Sequence, residues 1–140
     1  MPVAEHVLGF SNRWYRAAIE TAQRFRVADH DVRVVTPALF IATKLEAFHG
    51  RGHDDVVASH DLEDVVAVLD GRAEIVAEVA AASDDVREYI GLEIQSLLDN
   101  PDFTEALGGL LLPDAASQAR RGLLEERLRR LAPSRRPGHF

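Results

Sequence analysis

Three observations predict a mainly helical fold with one or two short β-strands. Apolar residues recur at three- and four-residue spacings along most of the chain. Capping and breaking residues divide it into helix-length segments. Only Val32-Arg33-Val34-Val35 concentrates β-branched residues in a short run. The 140 residues are enough for a single core, expected to be one helical domain over 1–132 followed by a flexible tail, 133–140. A content of 46% hydrophobic and 28% charged residues excludes wholesale disorder.

Each element has its own local reason. Ser11 or Asn12 caps a helix through Trp14, Ala17, Ala18, Thr21, Ala22 and Phe25, whose spacing makes one buried stripe. Asp29-His30-Asp31 reads as a turn before the strand Val32–Val35. Thr36-Pro37 supplies an N-cap and a first helical residue, because proline loses nothing where the N–H is already unpaired. That helix carries Leu39, Phe40, Ile41, Leu45, Ala47 and Phe48 and stops at Gly50 or Gly52. Ser59 caps the next, with Leu62, Val65, Val66, Val68 and Leu69 facing a core before Gly71. Further helices are expected over Ala73–Ala82, from Ser83 to Leu97, after Asn100-Pro101, and after Pro113-Asp114 through Leu131.

Charge and composition exclude several functions. Without cysteine there is no disulfide framework, thiolate nucleophile or Cys-based zinc site. No stretch approaches the roughly 20 uncharged residues of a membrane span, and no charged-then-apolar leader is read, so a soluble cytoplasmic protein is expected. The net charge of -7 argues against general nucleic-acid binding. Residues 1–53 are net +2, residues 54–102 net -12 and residues 119–140 net +5. The expected arrangement is an acidic face folded back against the basic tail, with a metal or nucleotide site at its edge as the alternative.

Lys44 is the only lysine, against fifteen arginines, and lies one helical turn from both Phe40 and Phe48. Within an apolar stripe its ammonium must either snorkel to the rim or meet an anion. Arg51 lies two turns on, so two cations could face one anionic ligand such as a triphosphate. Asp61 and Asp64, three apart on a helix, project from one face. Such a pair caps and salt-bridges, or it holds a divalent metal, takes a proton or pairs with a lysine. A short loop between the two helices would bring the groups face to face. The stretch His49, His53, Asp54, Asp55, His60, Asp61 has the ligand order of HD-type metal phosphohydrolases, although two glycines interrupt it. No glycine-rich phosphate loop ending in Lys-Ser/Thr is present.

The run VVTPALFIATKLEAFHGRGHDDVVASHDLEDVVAVLDGR (34–72) resembles nucleotidyltransferases of the AbiEii/AbiGii type, from type IV toxin–antitoxin systems. The matching positions are Lys44, Leu45, Ala47, Arg51, Asp61 and Asp64; LGFSNRWY (8–15) and LLPDAASQAR (111–120) look like further blocks of the same family. The resemblance covers about residues 1–132 and implies a polymerase-β-like fold, of which this chain would be the helical C-terminal part. It implies that Lys44 contacts nucleotide phosphates, that Asp61 and Asp64 orient the nucleotide or act as a base, and that Arg51 contacts phosphate or substrate. Mg2+ and a nucleoside triphosphate are the implied cofactors; the partners expected are an antitoxin protein or, because a lone strand leaves an unpaired edge, a homodimer that covers it.

Members of that family begin with a Gly-Gly/Ser turn and an Asp-x-Asp strand, and a third carboxylate follows on a later strand; together these hold two magnesium ions. Residues 1–35 contain no Gly-Gly/Ser turn, and Asp29-His30-Asp31 has the spacing but sits in a polar turn. Two-metal transfer needs those acids. The expectation is therefore a truncated nucleotidyltransferase-like chain, inactive alone, whose strand has lost its sheet. The alternatives are a standalone helical interaction or regulatory module and an HD-type hydrolase.

Overall fold

Helix signals dominate the sequence, and the computed structural model follows them. It describes residues 12–50, 55, 56, 59–107 and 115–133. The described elements are α1 (Tyr15–Thr21), β1 (Gln23–Val27), β2 (His30–Val34), α2 (Pro37–Gly50), α3 (His60–Gly71), α4 (Ile75–Ala80), α5 (Asp84–Leu98), α6 (Pro101–Ala106) and α7 (Ala115–Leu131). The fold is thus mainly α with two short strands, as expected.

The middle of the chain matches its signals closely. Pro37 opens α2, and Ser59 caps α3 by accepting a hydrogen bond from the Leu62 N–H at 3.2 Å. Asn100 caps α6 through the Asp102 N–H at 2.9 Å, and Pro101 is the first helical residue. Ser83 precedes α5 as expected, but its hydroxyl donates to Asp85 instead of accepting from the helix backbone. The helix expected over Ala73–Ala82 is shorter, Ile75–Ala80. Pro113-Asp114, Gly108-Gly109 and residues 134–140 lie outside the described residues.

The start differs. The helix expected to reach Phe25 ends at Thr21, and Gln23–Val27 is a strand antiparallel to His30–Val34. The β-branched run is therefore half of a hairpin, and the strand ends one residue before Val35. The turn is confined to Ala28 and Asp29, with φ of 48° and 67°, and His30 already belongs to β2. Two successive left-handed residues match the twist of an antiparallel pair, so a two-residue loop suffices. Gln-Arg-Phe-Arg-Val alternates with period two, and this overrides the helical spacing that Phe25 shares with Trp14 and Thr21. Phe25 is 49% exposed on the strand.

The core is built around α2, which packs against α1, α3, α4 and α5. Ile41, Ala42 and Leu45 are buried, as are Leu62, Val65 and Leu69 of α3 and Ile90 and Ile94 of α5. Leu124 and Leu128 of α7 close the bundle against α3 and α5. Gly91 lets α5 approach the end of α7: a Cβ there would stand 3.2 Å from the Leu131 carbonyl oxygen.

Charge reinforces this closure. Arg120 makes a two-pronged pair with Asp70 at 3.1 and 3.0 Å. Arg127 Nη1 donates to the carbonyls of Leu69 at 2.6 Å and Asp70 at 3.0 Å, satisfying acceptors that the end of α3 leaves open. The basic C-terminal helix does fold back onto the acidic centre.

Candidate functional site

The α2 register that buries Leu45 and Ile41 leaves Lys44 on the flank of the core, with its side chain 26% exposed. Its ammonium lies 5.5 Å from the centre of the Phe40 ring, one turn back. The aliphatic stem covers apolar surface while the charge reaches outward.

The N-terminal part of α3 supplies the anions, Asp61 from its first turn and Asp64 just beyond. Asp64 Oδ2 is 2.8 Å from Lys44 Nζ, and Asp61 Oδ1 is 3.6 Å away. The two carboxylates differ in setting: the Asp61 side chain is 10% exposed, that of Asp64 49%. Both lie near the positive end of the α3 dipole, which favours negative charge. The Ser59 cap fixes the start of α3 and hence the direction of both side chains.

Asn12 steadies the other side of the site. Its side-chain amide donates to the Thr43 carbonyl at 2.8 Å, and its Oδ1 accepts from the Trp14 N–H at 3.1 Å. The buried Asn12 thereby ties the entry to α1 to the turn of α2 that carries Lys44. The sequence offers Ser11 or Asn12 as the cap of α1, but Ser11 lies outside the described residues and the N-cap position is Trp14, with no side-chain cap. Asn12 instead holds the Trp14 N–H just before the helix, and its bond spanning 31 residues leaves no sequence signal.

The structure therefore brings Lys44, Asp61 and Asp64 together. Arg51, the fourth candidate, lies outside the described residues, as do His53 and Asp54. The described histidines of the HD-like stretch diverge. His49 pairs with Glu93 of α5, and the exposed His60 pairs with Glu63 at 3.0 Å. That hydrogen bond, with the charge of Glu63, raises the His60 imidazole above its ordinary value.

A cluster on the opposite flank of α2 escaped the sequence reading. Tyr89 donates to Glu46 at 2.7 Å and packs its ring 5.0 Å from that of Trp14, while the Arg13 guanidinium lies over both rings at 4.5 and 5.2 Å. Burial, followed by the bond to Glu46, pushes the Tyr89 phenol far above the ordinary tyrosine range. It acts as a packed donor and not as an acid. The groove of about 630 Å3 between α4, α5 and the end of α7 is lined by residues outside the Lys44 cluster.

Chemically, Lys44 offers a partly exposed ammonium between a nearly buried carboxylate at 3.6 Å and a half-exposed one at 2.8 Å. Asp64 is the partner that an incoming group could displace, because half of its side chain already meets water. The two acids share one ammonium, and among the described residues no group of three or more His, Cys, Asp or Glu is placed to hold a metal ion.

Comparison with known proteins adds no family to this geometry: no family model matches the chain, and neither a curated protein nor a solved structure matches it significantly. Among the described residues, no helix is long and apolar enough to cross a membrane.

Proposed function

We propose that this chain is nucleotidyltransferase-like, the helical, nucleotide-facing part of an AbiEii-type fold, with Lys44 as the phosphate contact and Asp61 and Asp64 as orienting groups. The observation that carries the reading is the convergence of Lys44 with both members of the Asp-x-x-Asp pair across the α2–α3 packing. The three groups sum to -1, so a nucleotide whose phosphate charge magnesium partly neutralises is repelled less than a bare one. An arriving phosphate takes the outer side of the ammonium from Asp64, while Asp61 keeps Lys44 aimed. Arg51 is the second phosphate contact in this proposal, and an antitoxin-like protein remains a partner consistent with it. The acids available here orient and do not supply two-metal chemistry, so the isolated chain is proposed to bind nucleotide without transferring it.

Equilibrium dialysis with GTP, CTP and ATP, each with magnesium, tests this. At least one nucleotide is expected to bind the wild-type chain and to raise its melting temperature. Lys44→Ala should abolish binding, and Lys44→Arg, which retains the cation, should keep part of it. Absence of binding by all three nucleotides, or binding unaltered in a folded Lys44→Ala protein, overturns the proposal. It would favour the second reading, an interaction module, which rests on the solvent-exposed apolar side chains of the hairpin.

A further inference from the structure

Neither face of the hairpin is covered by described residues, since every position of β1 and β2 is exposed. Its register pairs Gln23 with Val34, Arg24 with Arg33, Phe25 with Val32, Arg26 with Asp31 and Val27 with His30. Side chains alternate across a strand. One face therefore carries Phe25, Val27, Val32 and Val34, and the other carries Arg24, Arg26, Asp31 and Arg33. A two-stranded hairpin in water is marginal without further strands or packing.

The two outer edges are not equivalent. A two-residue turn makes Val27–His30 a hydrogen-bonded pair, and antiparallel alternation extends this to Phe25–Val32 and Gln23–Val34. The backbone groups of Arg24 and Arg26 consequently point outward from β1, and those of Asp31 and Arg33 outward from β2. If β1 met β1 of a second copy antiparallel, every register using those groups would set arginine opposite arginine. Like charges directly opposite are destabilising, so this edge is guarded.

The β2 edge behaves differently. Three antiparallel self-registers engage its outward groups. One sets Asp31 opposite Asp31, another sets Arg33 opposite Arg33, and the one centred on Val32 sets Asp31 opposite Arg33 twice. Only the last is charge-complementary. It also lines up Phe25, Val32, Val32 of the second copy and Phe25 of the second copy as one apolar row. Within a single hairpin Arg33 faces Arg24, and Asp31 pairs with Arg26 at 3.6 Å. The second copy would give each Arg33 a carboxylate.

We propose that the chain forms a two-fold symmetric dimer through the outer edge of β2, centred on Val32, giving a four-stranded antiparallel sheet ordered β1-β2-β2-β1. A two-fold axis through Val32 makes each contact occur twice, as an isologous interface requires.

Sedimentation equilibrium on the full chain tests this with variants that separate dimerisation from folding. Arg33→Asp places a carboxylate opposite Arg24 inside the hairpin, so the hairpin is kept, but across the interface it sets carboxylate against carboxylate twice. Its dimer dissociation constant should rise about tenfold or more, with the circular dichroism melt of the monomer retained. The double variant D31R/R33D exchanges the two charges and should restore dimerisation. A wild-type chain that stays monomeric at every concentration overturns the proposal. So does an Arg33→Asp protein that dimerises as tightly as wild type, or a folded double variant that fails to recover.

Discussion

Replacing Lys44 by methionine removes one charge and little else, which makes it the sharpest probe of the α2–α3 contact. The stem can still cover Phe40, so the lost packing is small. At an effective dielectric of about 20, an ammonium 2.8 Å from Asp64 and 3.6 Å from Asp61 gains roughly 5 kcal/mol gross from each. Most of this is offset by desolvation, and the exposed Asp64 contributes little net because water screens it. The nearly buried Asp61 is different: without Lys44 its carboxylate loses the ammonium at 3.6 Å while the like charge of Asp64 stays nearby. Breaking a fully buried pair costs about 3–5 kcal/mol, and the 26% exposure of Lys44 brings the expected loss down to about 2 kcal/mol. For a chain of this size that lowers the melting temperature by about 6–10 °C. Urea unfolding followed by Trp14 fluorescence measures it, and the Lys44→Met/Asp61→Asn cycle isolates the pair, with a coupling of about 1–2 kcal/mol expected. The corresponding Asp64→Asn cycle should give less than about 1 kcal/mol. A coupling near zero with Asp61 would refute the reasoning, because the ammonium would then be holding nothing that needs it.

Other consequences follow from the remaining contacts. Arg127→Ala removes the two hydrogen bonds from α7 to the Leu69 and Asp70 carbonyls and should destabilise the fold by about 1.5–2 kcal/mol in urea titrations. Glu78 is held below its ordinary range by its hydrogen bond to Arg72, opposed by partial burial. The unfolded state therefore takes up this proton first as pH falls. The contribution is fully present above the unfolded carboxylate pKa and disappears as pH drops through the lower, folded value. Glu78→Gln should thus cost about 0.5–1 kcal/mol at neutral pH and close to nothing in strongly acidic buffer, as read by denaturant midpoints. Tyr89→Phe leaves Glu46 without its donor and should cost about 1 kcal/mol, while ultraviolet titration of wild type should show one of the two tyrosines resisting ionisation well above pH ~10.

Much of the fold was legible where a local rule and the tertiary demand coincide. Pro37 after Thr36, Ser59 before His60 and Pro101 after Asn100 each relieve unpaired helix-end groups, and those helices begin there. The convergence of Lys44 with Asp61 and Asp64 was legible for a related reason: a cation inside an apolar stripe must snorkel or meet an anion, and an Asp-x-x-Asp pair lay one loop away. The hairpin was misread at Phe25, because Ala17, Thr21 and Phe25 fit a helical stripe as well as Gln23 to Val27 fit a strand. The non-glycine turn Ala28-Asp29, with both residues at positive φ, hid the usual signal. Asn12 on the Thr43 carbonyl and Tyr89 on Glu46 are contacts between distant segments whose partners no spacing rule identifies.

Because Lys44 is the only lysine, an amine-reactive nucleotide can interrogate the account at one side chain. An acyl-phosphate derivative of ATP or GTP, which acylates an amine lying against bound phosphates, should label the Lys44 peptide and spare the N-terminal amine, as mass spectrometry resolves. An excess of the unmodified magnesium nucleotide should suppress that label. Labelling confined to the N-terminus, or modification of Lys44 that competing nucleotide leaves unchanged, would contradict a phosphate-binding ammonium and leave the cluster a salt bridge that fastens α3 to α2.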